Sequence, residues 1–243
     1  MLMTSMNGAF WETEDMTDAQ AGGRYEIKLQ YDGQHLYKVR QWIGLHSLAF
    51  IPAFPSRQVN NIYFDTSGLD SLNDHLSGVG ERRKLRFRWY GEKIDCALGL
   101  LEIKQKINRI GWKYTTPIPT TLDLAHLNWA QIHETIQQHT EGIFYEMISV
   151  SRPVIINSYQ RDYYIASDGQ TRLTLDYATK AYNQHLTHVP NIKFRVPLLN
   201  LLILEIKTET QHDVDLPSLV AEFPLRTEKH SKYITGMSAM LGW

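Results

Sequence analysis

From Arg24 onward, hydrophobic and polar positions repeat with two distinct periods. RYEIKLQY alternates Arg24, Glu26 and Lys28 with Tyr25, Ile27 and Leu29, the period of two that a strand requires. HLYKVRQWIGLH instead repeats Leu36, Val39 and Ile43 at helical spacing and predicts a helix ending near Gly44. VNNIYFDT reads as a strand, and SGLDSLNDHLSG as a turn. ERRKLRFRWYG sets Lys84, Arg86 and Arg88 against Leu85, Phe87 and Trp89, and LLEIKQKI sets Glu102, Lys104 and Lys106 against Leu101 and Ile103. Residues 120–150 carry Leu122, Leu124, Leu127, Ile132, Ile136, Ile143 and Met147 at the spacing of one or two packing helices. Strand patterns return in VIINSYQRDYYIA, TRLTLDYATKAY, NIKFRV and LLILEIKT, and PLRTEKHSKYITGMSAML reads as a loop entering a short helix.

The chain has 243 residues, enough for one sizeable core, and its 43% hydrophobic and 21% charged residues exclude general disorder, collagen-like repeats and coiled coil. Lys and Arg total 25 against 26 Asp and Glu, a net charge of −1 that argues against a generally basic nucleic-acid coat. One cysteine, Cys96, forbids an internal disulfide framework and a Cys-based zinc cluster, and it fits a reducing compartment. The first 22 residues lack a cationic start followed by an apolar run, so they read as a loose acidic lead-in to a domain over 23–243. The longest apolar stretch, Val196 to Ile206, is broken by Pro197 and Asn200 and falls short of the ~20 residues a membrane span needs. A cytoplasmic protein is expected, with recruitment to a membrane by partner proteins left open.

The charged strand faces change this picture. Alternation alone is what an antiparallel sheet with one solvated face produces, with Glu and Lys paired across strands. Lys84, Arg86 and Arg88 have no acid in step with them, and like charges opposed on a sheet are destabilising unless an anion compensates them. Joined by Lys28, Lys104, Lys106, Arg161, Arg172, Lys193 and Arg195, they would line one surface of a closed sheet whose other surface is apolar and needs covering helices. Such a cationic bore suits a long, narrow polyanion: polyphosphate or a nucleoside triphosphate. Glu26, Glu102 and Glu205 are awkward for bare phosphate but natural if Mg²⁺ or Mn²⁺ bridges carboxylate to phosphate.

RYEIK, KLRFRWYG, LEIKQK, SYQRDYY, RLTLD, LEIK and HSKY, in this order, resemble the polyphosphate polymerase domain of the vacuolar transporter chaperone (VTC) family, within the CYTH-like triphosphate tunnel metalloenzymes. The resemblance implies an α+β, mainly antiparallel fold: a closed tunnel of about eight strands with a basic interior and covering helices. It also implies ATP as phosphoryl donor, inorganic polyphosphate as acceptor, and Mn²⁺ or Mg²⁺ as cofactor. Residue by residue, Lys28, Arg86, Arg88, Lys104, Arg161 and Lys232 take catalytic positions, and Glu205 takes the metal. Tyr159, Ser231 and Lys113 contact phosphate, joined by Lys84, Lys106, Arg172, Lys207 and Lys229. Related CYTH triphosphatases begin their first strand E-x-E-x-K; Arg24 replaces the first of those acids, which favours the polymerase branch. A tunnel triphosphatase and a non-catalytic polyphosphate-binding module are the alternatives.

Other groups read as structural. His133, His139, His185 and His188 sit beside no carboxylate in a metal motif. Asp162 and Asp176 are expected in ion pairs, the latter sharing a face with Arg172. Cys96 has no His partner. Trp89, Tyr163 and Tyr164 interleave with basic residues, but no RNA-binding motif accompanies them, so no nucleic-acid partner is expected.

Overall fold

The computed structural model describes residues 24–107, 110–209, 216–228 and 230–242. In chain order the elements are β1 (Arg24–Asp32), α1 (Leu36–Leu45), β2 (Ile51–Thr66), α2 (Asp70–Leu76), β3 (Glu81–Tyr90), β4 (Cys96–Ile107), β5 (Ile110–Asp123), α3 (Trp129–Gln138) and α4 (Gly142–Val150). They continue with β6 (Ser151–Ile165), β7 (Arg172–Asn183), β8 (Arg195–Val196), β9 (Leu201–Glu209), α5 (Leu216–Ala221), β10 (Arg226–Thr227) and α6 (Lys232–Leu241).

The strands form one ten-stranded antiparallel sheet in the order β10-β1-β9-β7-β6-β2-β3-β4-β5, with β8 paired to β7 off this path. The expected closed barrel of eight strands is therefore corrected to an open, strongly curved sheet. Two features keep the edges apart: β5 carries Pro117 and Pro119, which lack the donor a ladder needs, and the far edge of β1 is occupied by β10 at Leu29 and Gln30. In place of a ladder, side chains reach the segment before α6. Lys28 of β1 donates to the His230 carbonyl oxygen (3.2 Å) and Lys84 of β3 donates to Ser231 Oγ (3.1 Å).

The faces are inverted relative to an ordinary barrel, as the alternation predicts. The convex face is apolar and covered by helices at two places. Phe87, Trp89, Leu101, Ile103 and Ile118 pack against Ile132, Ile136 and Ile148 of α3 and α4, while Leu29, Leu204 and Ile206 pack against Val39 and Ile43 of α1 and Leu219 of α5. The concave face is charged, and one end of it is filled by an apolar plug of Leu72 from α2 with Tyr233 and Met237 from α6, set against Tyr63, Ile155 and Ala181.

Two local expectations are corrected. The predicted turn after β2 contains helix α2, because buried Asp65 accepts the N–H groups of Ser71 (3.0 Å) and Leu72 (3.1 Å), satisfying donors that a helix start leaves open. NIKFRV contributes only the two-residue β8. Asn191 Oδ1 accepts from the backbone of Lys193 and Phe194, folding the segment locally, and Pro197 follows. Lys193 and Arg195 are exposed, and Arg195 stands opposite Tyr182 of the convex-face core, so they do not join the basic surface.

Candidate active site

Register places the charged rows. On β3, Arg86 stands opposite Glu102 of β4 and Tyr63 of β2, and Arg88 stands opposite Asn61 of β2. Because side chains alternate, all five point to the concave face. Glu102 is fully buried, pairs with Arg86 and lies 3.9 Å from Arg88. Burial pushes its carboxyl up, but Arg86, Arg88 and Lys113 outweigh that and hold it well below the usual carboxylate range. Tyr63 accepts from Arg86 (3.4 Å); Asn61 Oδ1 accepts from Arg88 (3.0 Å), as does Tyr159 (3.4 Å). Asn61 in turn donates to Asn157 (2.9 Å), so both guanidiniums are held in fixed orientations by a polar scaffold beneath them.

Across the trough, Lys28 of β1 stands opposite Glu205 of β9, and Glu26 opposite Lys207. Lys28 Nζ lies 2.7 Å from Glu26 and 3.7 Å from Glu205, and Lys207 lies 3.0 Å from Glu205. Burial lowers the Lys28 affinity for its proton, but the two glutamates prevail and raise it. Glu205 is pushed up by burial, yet Lys207 and Lys28 hold it well below its ordinary range. The Glu205 charge and burial push the Glu26 carboxyl up, but Lys104, Lys28 and Lys207 outweigh them and hold it below its ordinary range.

A third group joins β6, β7 and α6. Asp176, fully buried, accepts from Arg161 (2.8 Å to Oδ2) and from Lys232. Burial raises its pKa, but Arg161 and Lys232 bring it down to about 2. The Arg161 partner corrects the expected pairing with Arg172. Tyr159 carries cations over its ring, Lys232 at 4.3 Å and Arg161 at 5.3 Å.

Lys84 and Lys104 complete the interior. Burial, then the charges of Lys28, Arg82 and Arg86, brings Lys84 down to about 7; burial, with Arg86 and Lys207 opposing Glu26, brings Lys104 to about 7. Lys113 of β5 is buried opposite Lys104. Lys106 and Arg172 lie exposed at the rim, and Lys229 lies outside the described residues.

Among the described residues the structure thus brings the expected ones together except Lys106 and Arg172 at the rim and Lys193 and Arg195, which lie off the basic surface. Sequence reading assigned no role to Asn61 or Tyr63; it grouped Glu102 with the metal-bridging carboxylates, whereas the structure pairs it with Arg86, and it expected Asp176 only in an ion pair. The alternation of their strands already put them on the charged face; only register supplied their partners.

Glu26 and Glu205 are the carboxylates that would hold a divalent cation: their oxygens converge on the Lys28 ammonium, at 2.7 and 3.7 Å, the position such a cation would take, and phosphate oxygens and water could add to that oxygen set. Among the described residues no group of three or more His, Cys, Asp or Glu could hold a metal, so substrate oxygens would have to complete the shell. Elsewhere, His133 Nε2 is hydrogen-bonded to the carbonyl oxygen of Ile148 (2.6 Å), Asp162 pairs with Arg40 (2.8 Å), and Cys96 is exposed. Among the described residues no helix is long and apolar enough to cross a membrane.

Comparison with solved structures supports the tunnel fold. A candidate adenylyl cyclase from Hippeastrum, described as having a dominant triphosphatase activity, superposes with TM-score 0.51 at 14% identity, covering 90% of this chain and 96% of that one. A candidate adenylate cyclase from Bacillus halodurans gives TM-score 0.50 at 15% identity, covering 88% and 97%. No match was found among curated proteins. The VTC domain family matches residues 23–241, from the first charged strand through α6, and the protein belongs to that family.

Proposed function

We propose that the protein is a polyphosphate polymerase that transfers the terminal phosphoryl group of ATP to a growing polyphosphate chain. The observation that carries this reading is the concentration of Lys28, Arg86, Arg88, Lys104, Arg161 and Lys232 on one concave surface, with Glu26 and Glu205 both within reach of Lys28 among them.

Phosphoryl transfer passes through a loose transition state with charge spread over the equatorial oxygens, so positioning and cations carry the catalysis. In this reading Arg86 and Arg88 grip the donor triphosphate, while Arg161, Lys232 and Lys28 orient the terminal phosphate of the acceptor. A terminal oxygen of the acceptor attacks the γ-phosphorus; its new P–O bond forms as the bond to the β-bridging oxygen breaks, and ADP leaves. The attacking oxygen is already an anion, so no general base is required. When bound at Glu205, with Glu26 beside it, Mn²⁺ or Mg²⁺ supplies neutralisation of the phosphate charge. Glu205 also argues against a purely binding module, because a carboxylate weakens an anion-binding surface unless a cation uses it.

Hydrolysis by the same cations, with water as acceptor, is the second reading, favoured by the triphosphatase activity described for the Hippeastrum protein. Incubation with ATP and Mn²⁺, followed by gel separation of long-chain polyphosphate from orthophosphate, distinguishes them. Polymer is expected; orthophosphate alone overturns the polymerase reading, and untouched ATP with bound polyphosphate supports the module. Arg86→Ala and Glu205→Gln are each expected to abolish polymer synthesis with the fold retained by circular dichroism.

A further inference from the structure

The connection from β7 to β9, residues 184–200, takes no part in the trough. It leaves β7 at Asn183, opposite Ile155 of the apolar plug, so it lies at the plugged end of the sheet. Four of its apolar side chains face solvent: Leu186 is 76% exposed, Val189 59%, Phe194 79% and Leu199 78%. One exposed apolar residue needs no explanation, whereas four on one connection mark a contact surface.

The connection is built to hold them out. Buried Gln184 donates from Nε2 to the Asn191 carbonyl oxygen (2.7 Å) and accepts the Asn191 N–H at Oε1 (2.8 Å), while Asn191 Nδ2 donates to the Phe194 carbonyl oxygen (2.9 Å). The N–H of Trp129, at the start of α3, donates to the His188 carbonyl oxygen (3.0 Å). Ile192 packs on the convex-face core and Val196 on the plug, which leaves Phe194, between them in the chain, outside both. The charge here has one sign. No Asp or Glu lies between Asp176 and Glu205, and Lys193 and Arg195, both exposed and without an ion-pair partner among the described residues, flank Phe194.

We propose that this connection docks the protein directly on an anionic lipid bilayer, its apolar side chains entering the interface and Lys193 and Arg195 meeting the headgroup phosphates. Side chains this exposed have little packed around them, so they protrude instead of lining a groove for a peptide. A fluid bilayer interface accepts isolated protruding apolar groups, and its negative surface attracts the cations beside them. Docked by its plugged end, the protein turns the open end of the trough to the aqueous phase, so the site stays accessible to a soluble substrate. The docking is independent of which phosphate reaction the trough carries out.

Cosedimentation of the full chain with vesicles of phosphatidylcholine, with and without phosphatidylserine, tests this, with tripolyphosphate present throughout to occupy the trough cations. The wild type is expected to bind the phosphatidylserine vesicles. Phe194→Ser, and Lys193→Gln combined with Arg195→Gln, are each expected to weaken that binding by about tenfold. Both variants should keep the wild-type melting temperature and the wild-type turnover of ATP in solution, because the substituted side chains are exposed and lie off the trough. Absence of binding to phosphatidylserine vesicles overturns the proposal, as does unaltered binding in either variant, which would place the lipid contact on another surface. Equal binding to vesicles of phosphatidylcholine alone overturns the choice of an anionic membrane. A lipid-free wild-type dimer that Phe194→Ser converts to monomer would make the connection an interface between copies of this chain, and the proposal would fall.

Discussion

Glu102 shows what one residue contributes to this site. It stands fully buried beside two arginines, so its removal leaves their charges opposed at a place with little water to screen them. Glu102→Gln is expected to cost about 3 kcal/mol of stability in denaturant unfolding. Tripolyphosphate should raise the melting temperature of that variant by more than it raises the wild type's, because a phosphate can replace the lost carboxylate; an equal rise would show that the arginines do not face the ligand. Lys84 and Lys104 make a second residue-scale prediction. Each is brought to about 7 from an ordinary 10.5. Between those values the unfolded chain keeps protons that the folded protein has released, so these two groups make the free protein more stable as pH rises through that window. Phosphate oxyanions restore the charged form, so binding at about pH 8 should take up protons. Calorimetry in buffers of different ionisation heat reads this directly, and an enthalpy independent of buffer would refute it.

At the scale of elements, the same alternation that predicted β1, β3, β4 and β9 also said which face of each is charged, because a strand reverses its side chains at every residue. The helix α2 was hidden because its N-terminus is capped by Asp65, which lies before the turn residues, and Asp65 also accepts from Tyr233 of α6, far along the chain. β8 failed as a strand because Asn191 bonded the backbone locally. The β3–β4 pair depends on a glycine: a Cβ on Gly99 would lie 1.9 Å from the carbonyl oxygen of Arg88. Gly99→Ala is therefore expected to force these strands apart, lowering stability by about 3 kcal/mol in chemical denaturation. Since Arg88 would move with its carbonyl, phosphate affinity should fall as well; a variant as stable as the wild type would show that the close approach is relieved by backbone adjustment.

Across the whole molecule, the sheet stays open, and the segment leading into α6 is tied to β1, β3 and β7 by Lys28 to His230, Lys84 to Ser231, and Lys232 to Asp176. All three lysines also face the trough, so a polyanion bound there should hold the segment before α6 in place. Hydrogen exchange is expected to slow in residues 226–241 when tripolyphosphate is added, more than in α3 and α4 on the convex face; uniform slowing would mean that the seam is closed without ligand. The amino-acid sequence by itself determined the strand faces, the inverted arrangement of charge and apolar surface, and the identity of most cations in the trough, since these follow from a side-chain period of two. Tertiary structure alone decided that the sheet remains open and that Asp176 holds Arg161 and Lys232 rather than Arg172. Those outcomes depend on register and on contacts between residues far apart in the chain, as Asp176 and Lys232 are, and local periodicity carries no information about which strands become neighbours.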